Sequence, residues 1–370
     1  MDTAATRRGG ATDGRVSGSP RTSSAWKQSV PALTLVVLAP LLAEVLLGAT
    51  RFSALFVFPI EMCVWGGGAL AIRYAVRRWR LGWLNMLCLA LALAVAEECL
   101  IQQTSLAPMV LQLKGEVYAR AWGVNYVYLL WALVYEAVFV VFLPVTLAEL
   151  IFPDRREGLW VGKAGLVAVA VLFLLGTFLA WFSWTQVARP NVFHVPVYHP
   201  PLGALLIAGS AICLLVFSAL GPFRDALARE SRPLRPPPPW SLGVAGAVWA
   251  VLWYGLVVLA VGIAPSFPPS AAVGLGLAAV AGILLCLPGW TADRRWHRGH
   301  AFALVFGTML GSMMAGFIGF LGAARADLYF KILVDLLAVA LMLALRPKIM
   351  RSSKLGAEGG TQGGSGQASG

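Results

Sequence analysis

The sequence predicts an all-α, polytopic helical membrane protein with about ten transmembrane helices and both termini in the cytoplasm. Of its 370 residues, 59% are hydrophobic and only 12% are charged, a balance that a soluble chain of this size cannot bury. Ten apolar segments reach the length of roughly 20 residues that crosses a bilayer as a helix. Richness in glycine and alanine, without alternation of polar residues, argues against an outer-membrane barrel.

The ten predicted spans form two membrane parts between flanking tails. They lie near residues 31–50, 53–73, 81–103, 125–151, 161–184, 202–221, 241–263, 269–288, 301–322 and 328–346. A Pro/Arg-rich cytoplasmic linker, 222–240, separates spans 1–6 (29–221) from spans 7–10 (241–346), and its four consecutive prolines predict a stiff spacer. The basic stretch 1–28 and the Gly/Ser-rich stretch 347–370 predict disordered tails.

The distribution of lysine and arginine predicts the orientation. With ten spans and a cytoplasmic N-terminus, 23 of the 29 basic residues fall on the cytoplasmic side. Every cytoplasmic segment also carries more of them than any outer segment, which is the positive-inside pattern. The net charge of +12 is therefore explained by membrane topology and does not indicate a nucleic-acid partner. We expect a multi-pass protein of the plasma (inner) membrane, surrounded by the lipid bilayer.

Acidic residues well inside the first four spans are the strongest indication of a functional site. They are Glu44, Glu61, Glu97, Glu98 and Glu136. A charged side chain at the centre of a spanning helix costs roughly 2.5–3.5 kcal/mol on insertion scales, so such residues are functional candidates. The predicted topology places Glu44, Glu61 and Glu98 in the outer half of the bilayer and Glu136 near its midplane.

No basic residue lies at the same depth in spans 1–4. Each acid must therefore be protonated, hydrogen-bonded, hydrated or neutralised by a cation. We predict that Glu44, Glu61, Glu98 and Glu136 form one binding layer, with Gln102, one turn after Glu98, as a hydrogen-bond partner. The alternative is that each acid is a protonated core group paired with a neighbouring hydroxyl or amide.

Indications of a cofactor are weak. His194 and His199, in the loop after span 5, lie on the same side as the acids and are candidate metal ligands. The sequence has no nucleotide or haem signature, so the cofactor stays unknown. Two further acids are weaker candidates for a site: we expect Glu149 to be solvated, and Asp335 to pair with Lys331 one turn earlier.

Span 9 carries small residues at four-residue spacing, Gly307, Gly311 and Ala315. Such a stripe lets another helix approach closely. It predicts helix packing inside the bundle, with docking of a second copy or of a partner helix as the alternative.

The run Ala96, Glu97, Glu98, Cys99, Leu100, Ile101, Gln102 resembles the first motif of the CPBP family, the CAAX-protease and bacteriocin-processing type of intramembrane protease. That motif is two glutamates, three residues and an arginine, and Gln102 stands in the place of the arginine. The resemblance extends over about residues 40–150. It implies that Glu97 and Glu98 activate water, completed by histidines on later membrane helices.

Three functions follow as hypotheses. The first is a carrier-like protein whose acids bind a proton, a cation or a cationic solute, which transporters do at broken helices. The second is an intramembrane hydrolase of the CPBP type with Glu97 or Glu98 as general base. The third is a structural or assembly protein that docks through span 9. The sequence favours a protein that is not an enzyme.

Overall fold

The computed structural model describes residues 25–108, 119–227, 231–257 and 266–358, and helices dominate all four ranges. The α-helices are α1 Ala25–Pro40, α2 Phe58–Glu61, α3 Gly67–Trp79, α4 Trp83–Val95, α5 Tyr126–Tyr135, α6 Leu143–Ile151, α7 Lys163–Trp181, α8 Arg189–Asn191, α9 Leu202–Leu220, α10 Arg224–Leu227, α11 Pro239–Val257, α12 Pro269–Ala292, α13 Arg298–Gly316 and α14 Arg325–Glu358. Two short antiparallel strands, β1 Arg120–Ala121 and β2 Val124–Asn125, pair before α5 with Arg120 opposite Asn125.

Shorter helical turns join several of these α-helices into continuous rods. Five are π-helical turns, in which the backbone bonds reach one residue further than in an α-helix. They are Leu41–Val45, Met62–Gly66, Ala96–Ile101, Glu136–Phe142 and Phe182–Ala188. Three are 3₁₀ turns, Phe52–Val57, Pro153–Arg155 and Phe317–Phe320.

The predicted helical, apolar architecture is confirmed. In the described ranges nine helices are long and apolar enough to cross a membrane, and Ser29–Val45 is a shorter apolar helix. The first predicted span, 31–50, therefore ends earlier than expected. The carbonyl of Glu44 accepts the backbone N–H groups of Gly48, Ala49 and Thr50 at 2.9–3.2 Å, and the chain turns at Gly48, whose φ is +88°.

The spans form a packed centre and a periphery. Of the most apolar window of Trp83–Ile101, 61% is buried, against 11% for Leu202–Leu220. The packed centre also includes three other spans whose most apolar windows are 44–56% buried, Phe52–Trp79, Tyr126–Ile151 and Arg298–Phe320. The outer faces of α7, α9, α12 and α14 instead expose many leucine and valine side chains, a surface that requires apolar surroundings such as a bilayer.

Helices α11 and α13 share the most extensive contact between described elements, and the glycine stripe of span 9 explains it. A Cβ atom added to Gly307 would lie 1.9 Å from the Gly243 carbonyl oxygen, and one added to Gly311 would lie 2.3 Å from that of Ala247. The absence of side chains lets the two backbones touch. The stripe is thus covered by α11 within the chain.

A buried ion-pair network fixes one end of the bundle, called here the arginine end. Glu149 accepts hydrogen bonds from Arg73 at 3.1 Å and from Arg77 at 2.7 Å, and Arg156 lies 3.3 Å from its other oxygen. Arg73 is 1% exposed and stacks on the Trp160 ring. The expectation that Glu149 is solvated was wrong, because α3 and the turn after α6 enclose it with three guanidinium groups.

Helix α14 is anchored by a buried lysine. Lys331 is 1% exposed; it pairs with Asp335, which confirms the expected local ion pair. Its ammonium also donates to the carbonyl oxygens of Leu46, at 2.8 Å, and Met313, at 3.2 Å. A charge with this many partners is stable away from water. It connects α14 to α13 and to the end of the first helix.

Three of the predicted non-membrane segments differ from expectation. Helix α1 begins at Ala25, inside the expected N-terminal tail 1–28. Helix α14 continues to Glu358, beyond the expected start of the C-terminal tail at 347. The predicted linker 222–240 contains the short helix α10 and an extended part that packs on α12, where Leu234 N donates to the Gly289 carbonyl at 2.9 Å. Residues 1–24, 228–230 and 359–370 of the predicted tails and linker lie outside the described residues.

Replacing Gly311 by valine is expected to destabilise the protein by about 1–3 kcal/mol, the usual cost of overpacking. The new side chain would overlap the Ala247 backbone. Thermal unfolding of the detergent-purified protein measures the change. Gly274→Val in α12 is the matched control, because a Cβ there meets nothing within 4 Å. Equal unfolding temperatures for the two variants would contradict close packing of α11 on α13.

Glu149→Gln is expected to destabilise the fold by about 3–5 kcal/mol, since it leaves the buried Arg73 without its counter-charge. Chemical or thermal unfolding in detergent tests this. Glu157→Gln is the control: that side chain is 78% exposed although it pairs with Arg77, and an exposed pair contributes about 1 kcal/mol or less. A small effect of both variants would show that the arginine end is held by other contacts.

Candidate functional site

The five glutamates of the first four spans come together near the end of the bundle opposite the arginine end. The Glu97 carboxyl lies close enough to the other four, Glu44, Glu61, Glu98 and Glu136, to interact electrostatically with each of them. Glu44 is also within range of Glu61 and Glu98. These five residues are called the acid cluster below.

Burial differs little among most members of the cluster. Glu97 is 1% exposed, Glu98 3%, Glu61 4% and Glu136 7%, whereas Glu44 is half-buried. No lysine or arginine lies within ion-pair distance of any of the five in the described part of the chain, where the paired acids are Glu149, Glu157, Asp225 and Asp335. The cluster is therefore a group of carboxyls without counter-charges of its own.

Four of the five π-helical turns hold or adjoin a member of the cluster. Glu44 lies in the turn Leu41–Val45, Glu97 and Glu98 in Ala96–Ile101, and Glu136 begins Glu136–Phe142. Glu61 is the residue directly before Met62–Gly66. A π turn changes the direction of the side chains beyond it and is frequent at functional sites. Here these turns direct acids from separate helices towards one another.

Two acids have hydroxyl partners from the loops next to them. Ser105 Oγ donates to Glu98 Oε2 at 2.8 Å, and Thr50 Oγ1 donates to Glu61 Oε1. The predicted partner of Glu98, Gln102, is half-buried and is bonded through its backbone to the Glu97 carbonyl at 2.8 Å. The helix ends after Ile101, and the returning chain places the Ser105 hydroxyl on Glu98. A binding role for Gln102 stays a prediction.

Four buried polar atoms at the centre of the cluster have no hydrogen-bond partner among the described residues. The Oε2 atoms of Glu61, Glu97 and Glu136 are buried and have no partner among the described residues, and neither has Nε1 of Trp65. Trp65 and Glu97 lie beside the Glu136 carboxyl, but the indole N–H does not meet it with hydrogen-bond geometry. Three carboxyl oxygens and one donor are thus left for protons or a ligand to satisfy.

Aromatic side chains that the sequence analysis did not select line the cluster. Tyr128 lies within electrostatic range of four of the acids, and Tyr135 donates its hydroxyl to the Ala43 carbonyl, next to Glu44. Tyr135 stacks between Trp131 at 4.8 Å and Phe139 at 4.7 Å. The three- and four-residue spacing of these rings around Glu136 was visible in the sequence and indicates one helix face.

A short segment, residues 103–107, covers the Ser105 side of the cluster and is called the cover segment. It is buried throughout, with Ser105 0% exposed. Asn125, from β2, donates its side-chain amide to the carbonyls of Thr104 at 3.2 Å and Ala107 at 2.8 Å. Arg120, from β1, donates to the Leu106 carbonyl at 2.7 Å. The strand pair thus holds the cover segment in place.

The histidines are placed away from a metal-binding arrangement. His194 and His199 are exposed in the loop before α9. Among the described residues no group of three or more His, Cys, Asp or Glu side chains could hold a metal ion. His300 lies in the first turn of α13. Gly316, at the opposite end of this helix, contacts the Leu47 backbone, and the 16 residues between His300 and Gly316 span about 24 Å. The CPBP-type combination of glutamates with intramembrane histidines remains an expectation from the resemblance.

Comparison with protein-family models, with curated proteins and with solved structures gave no match to this chain.

Asn125→Ala is expected to expose the cover segment, because it removes three side-chain hydrogen bonds worth about 0.5–1.5 kcal/mol each. Two are donated to the Thr104 and Ala107 carbonyls, and one is accepted from Arg120 at 2.9 Å. We expect the thiol of a Leu106→Cys variant, 4% exposed as leucine, to react about tenfold faster with a water-soluble maleimide when Asn125→Ala is added. The control is Asn191→Ala, which removes a surface bond to the Val187 carbonyl. Equal rates in both backgrounds would contradict a cover held by Asn125.

Proposed function

We propose that this protein is carrier-like and proton-coupled, with an acid cluster that binds protons and exchanges them for a cation or a cationic solute. The observation that carries the proposal is the enclosure of Glu97 and Glu136. Each has a buried carboxyl oxygen without a hydrogen-bond partner among the described residues, and no basic side chain there pairs with either.

Repulsion between carboxylates favours protonated carboxyls in the acid cluster when no cation is bound. Two carboxylates 4 Å apart repel each other by about 4 kcal/mol at an effective dielectric constant of 20, and each also loses hydration on burial. Ionising all five would therefore require a counter-charge at the site. No described group of acids is arranged to hold a metal ion, which argues for protons before a tightly coordinated metal.

Exchange of a proton for a cation requires the acids to rearrange, and the helices that carry them are suited to this. Interrupted helices are the sites at which membrane carriers bind ions. Four π turns, with Pro40 directly before the first and Pro59 two residues before Glu61, interrupt the regular bonding here.

We place the arginine end in the cytoplasm and the cover segment towards the outside, following the positive-inside rule. The acid cluster then lies below the cover segment, which would have to open for exchange with the outer solution. Ser105 and Thr50, each bonded to one acid, are the first polar groups on that path. Placement in the plasma (inner) membrane belongs to the same proposal.

The test is proton flux in liposomes that contain the purified protein and a pH-sensitive dye. We expect a proton gradient, with the membrane potential clamped, to drive flux in the wild type and Glu97→Gln with Glu136→Gln to reduce it at least tenfold. Glutamine keeps the shape of a protonated carboxyl but carries no exchangeable acid proton. Addition of sodium, potassium or an organic cation to one side identifies the class of cation that exchanges.

Asp225→Asn is the control, since this acid lies outside the cluster in an exposed pair with Arg224. A second readout is labelling by a hydrophobic carbodiimide, which reacts with protonated carboxyls in apolar surroundings. Peptide mass spectrometry should find label on Glu97 or Glu136 in the wild type and on neither position in the double variant. Unchanged flux in the double variant would overturn the proposal. A wild type that moves no protons and cleaves a labelled membrane peptide would replace it by the CPBP-type hydrolase.

A further inference from the structure

A basic groove lies at the arginine end, far from the acid cluster. Its cavity of about 680 Å³ is formed by the extended chain before α11, the end of α12 and the start of α13. Arg235, Arg295, His297 and His300 line it together with Trp290 and the three prolines 236–238. No acidic side chain is among these lining residues, so the groove is lined by cationic, hydrogen-bond-donating and apolar groups.

The walls of the groove are held by backbone contacts. Leu234 N donates to the Gly289 carbonyl at 2.9 Å, and a Cβ atom on Gly289 would lie 2.6 Å from the Leu234 side chain. This close approach fixes the proline segment against α12. Prolines have a fixed φ and keep the segment extended. The groove is therefore a feature of the fold, although its rim is exposed.

One of the two histidines, His297, presents a donor to the groove. Nδ1 of His297 accepts the Gly299 N–H at 3.0 Å, and Nδ1 of His300 accepts the His297 N–H at 3.2 Å. A neutral imidazole whose Nδ1 accepts a hydrogen bond carries its proton on Nε2. His300, which is 5% exposed, also bonds the Pro237 backbone. The two rings, 4.0 Å apart, thus keep a defined orientation.

The arginines at the rim have no counter-charge. Neither guanidinium, of Arg235 or of Arg295, forms an ion pair with a described residue. The nearby Asp293 accepts the backbone N–H of Arg295 at 2.8 Å. Arginine recognises phosphate through paired N–H groups. Two unpaired guanidinium groups at one cavity are the chemistry that a phosphate group requires.

We propose that this groove binds the phosphate of an anionic headgroup, with Arg235 and Arg295 as its charged contacts and His297 as an additional donor. A phospholipid is the source that the surroundings favour. Trp290 is the kind of side chain that marks a membrane interface. Leu285 is 75% exposed and lies one turn before Gly289, on the helix face that meets Leu234 in the groove wall. An acyl chain can lie along that face while the headgroup occupies the groove, as basic pockets between membrane helices do with anionic lipids.

The test measures lipid binding to the detergent-purified protein by native mass spectrometry. The probes are phosphatidylglycerol, a phosphoinositide and the zwitterionic phosphatidylcholine. We expect the anionic lipids to bind at least tenfold more tightly than phosphatidylcholine. Combined Arg235→Ala and Arg295→Ala should remove that preference, because each charge-assisted hydrogen bond contributes appreciably to binding.

Arg294→Ala with Arg232→Ala is the matched control: it removes the same number of charges from nearby exposed positions that do not line the groove. Thermal unfolding checks that both double variants remain folded. Inorganic phosphate and glycerol phosphate are added as competitors to separate a lipid from a free phosphate compound. Equal loss of binding in both double variants, or none in either, would overturn the proposal.

Discussion

Polar side chains enclosed in this apolar bundle must find their partners inside the protein, and the structure meets this requirement in different ways at its two ends. At the arginine end, Glu149 is matched by three arginines. At the opposite end, beside Leu46, Lys331 is matched by Asp335 and two carbonyls. Such pairs lock helices together because breaking one leaves a charge without compensation. The acid cluster, at that same end, has two hydroxyl partners and no counter-charge among the described residues. Its carboxyls therefore depend on protons or a ligand as well as on the fold.

Backbone irregularity is concentrated at the same place. Glycine contacts hold α11 against α13 along a regular path, whereas the helices that carry the acids pass through π turns. In a regular α-helix each successive side chain is rotated by about 100° around the axis, and this rotation would fix the directions of Glu136 and Glu97. In a π turn the backbone bonds reach one residue further, which changes those directions and loosens the local bonding. Four of the five π turns among the described residues thus lie in the segments that gather the carboxyls, which supports a functional origin of the cluster.

The two proposed sites use opposite charge at opposite ends of the molecule. Carboxyls without bases suit protons and cations, and guanidinium groups without acids suit phosphate. Neither arrangement stabilises the folded chain by itself, since like charges repel when no ligand is bound. The surrounding contacts supply the stability: Asn125 and Arg120 over the acids, and the Leu234–Gly289 bond beside the arginines. Each site is therefore held in shape by hydrogen bonds to backbone carbonyls beside it.

The sequence by itself determined the helical membrane class, nearly all span positions and the identity of the buried acids. These predictions succeed because the length of an apolar segment and the few charged residues inside it can be read from that segment alone. It also predicted the Lys331–Asp335 pair, because residues four apart on one helix are neighbours. Packing was needed to show that Ser105 and not Gln102 bonds Glu98, that Glu149 is enclosed by arginines, and that Tyr128 and Trp65 lie beside the acids. Those contacts depend on how separate segments of the chain approach one another, which no local residue pattern specifies.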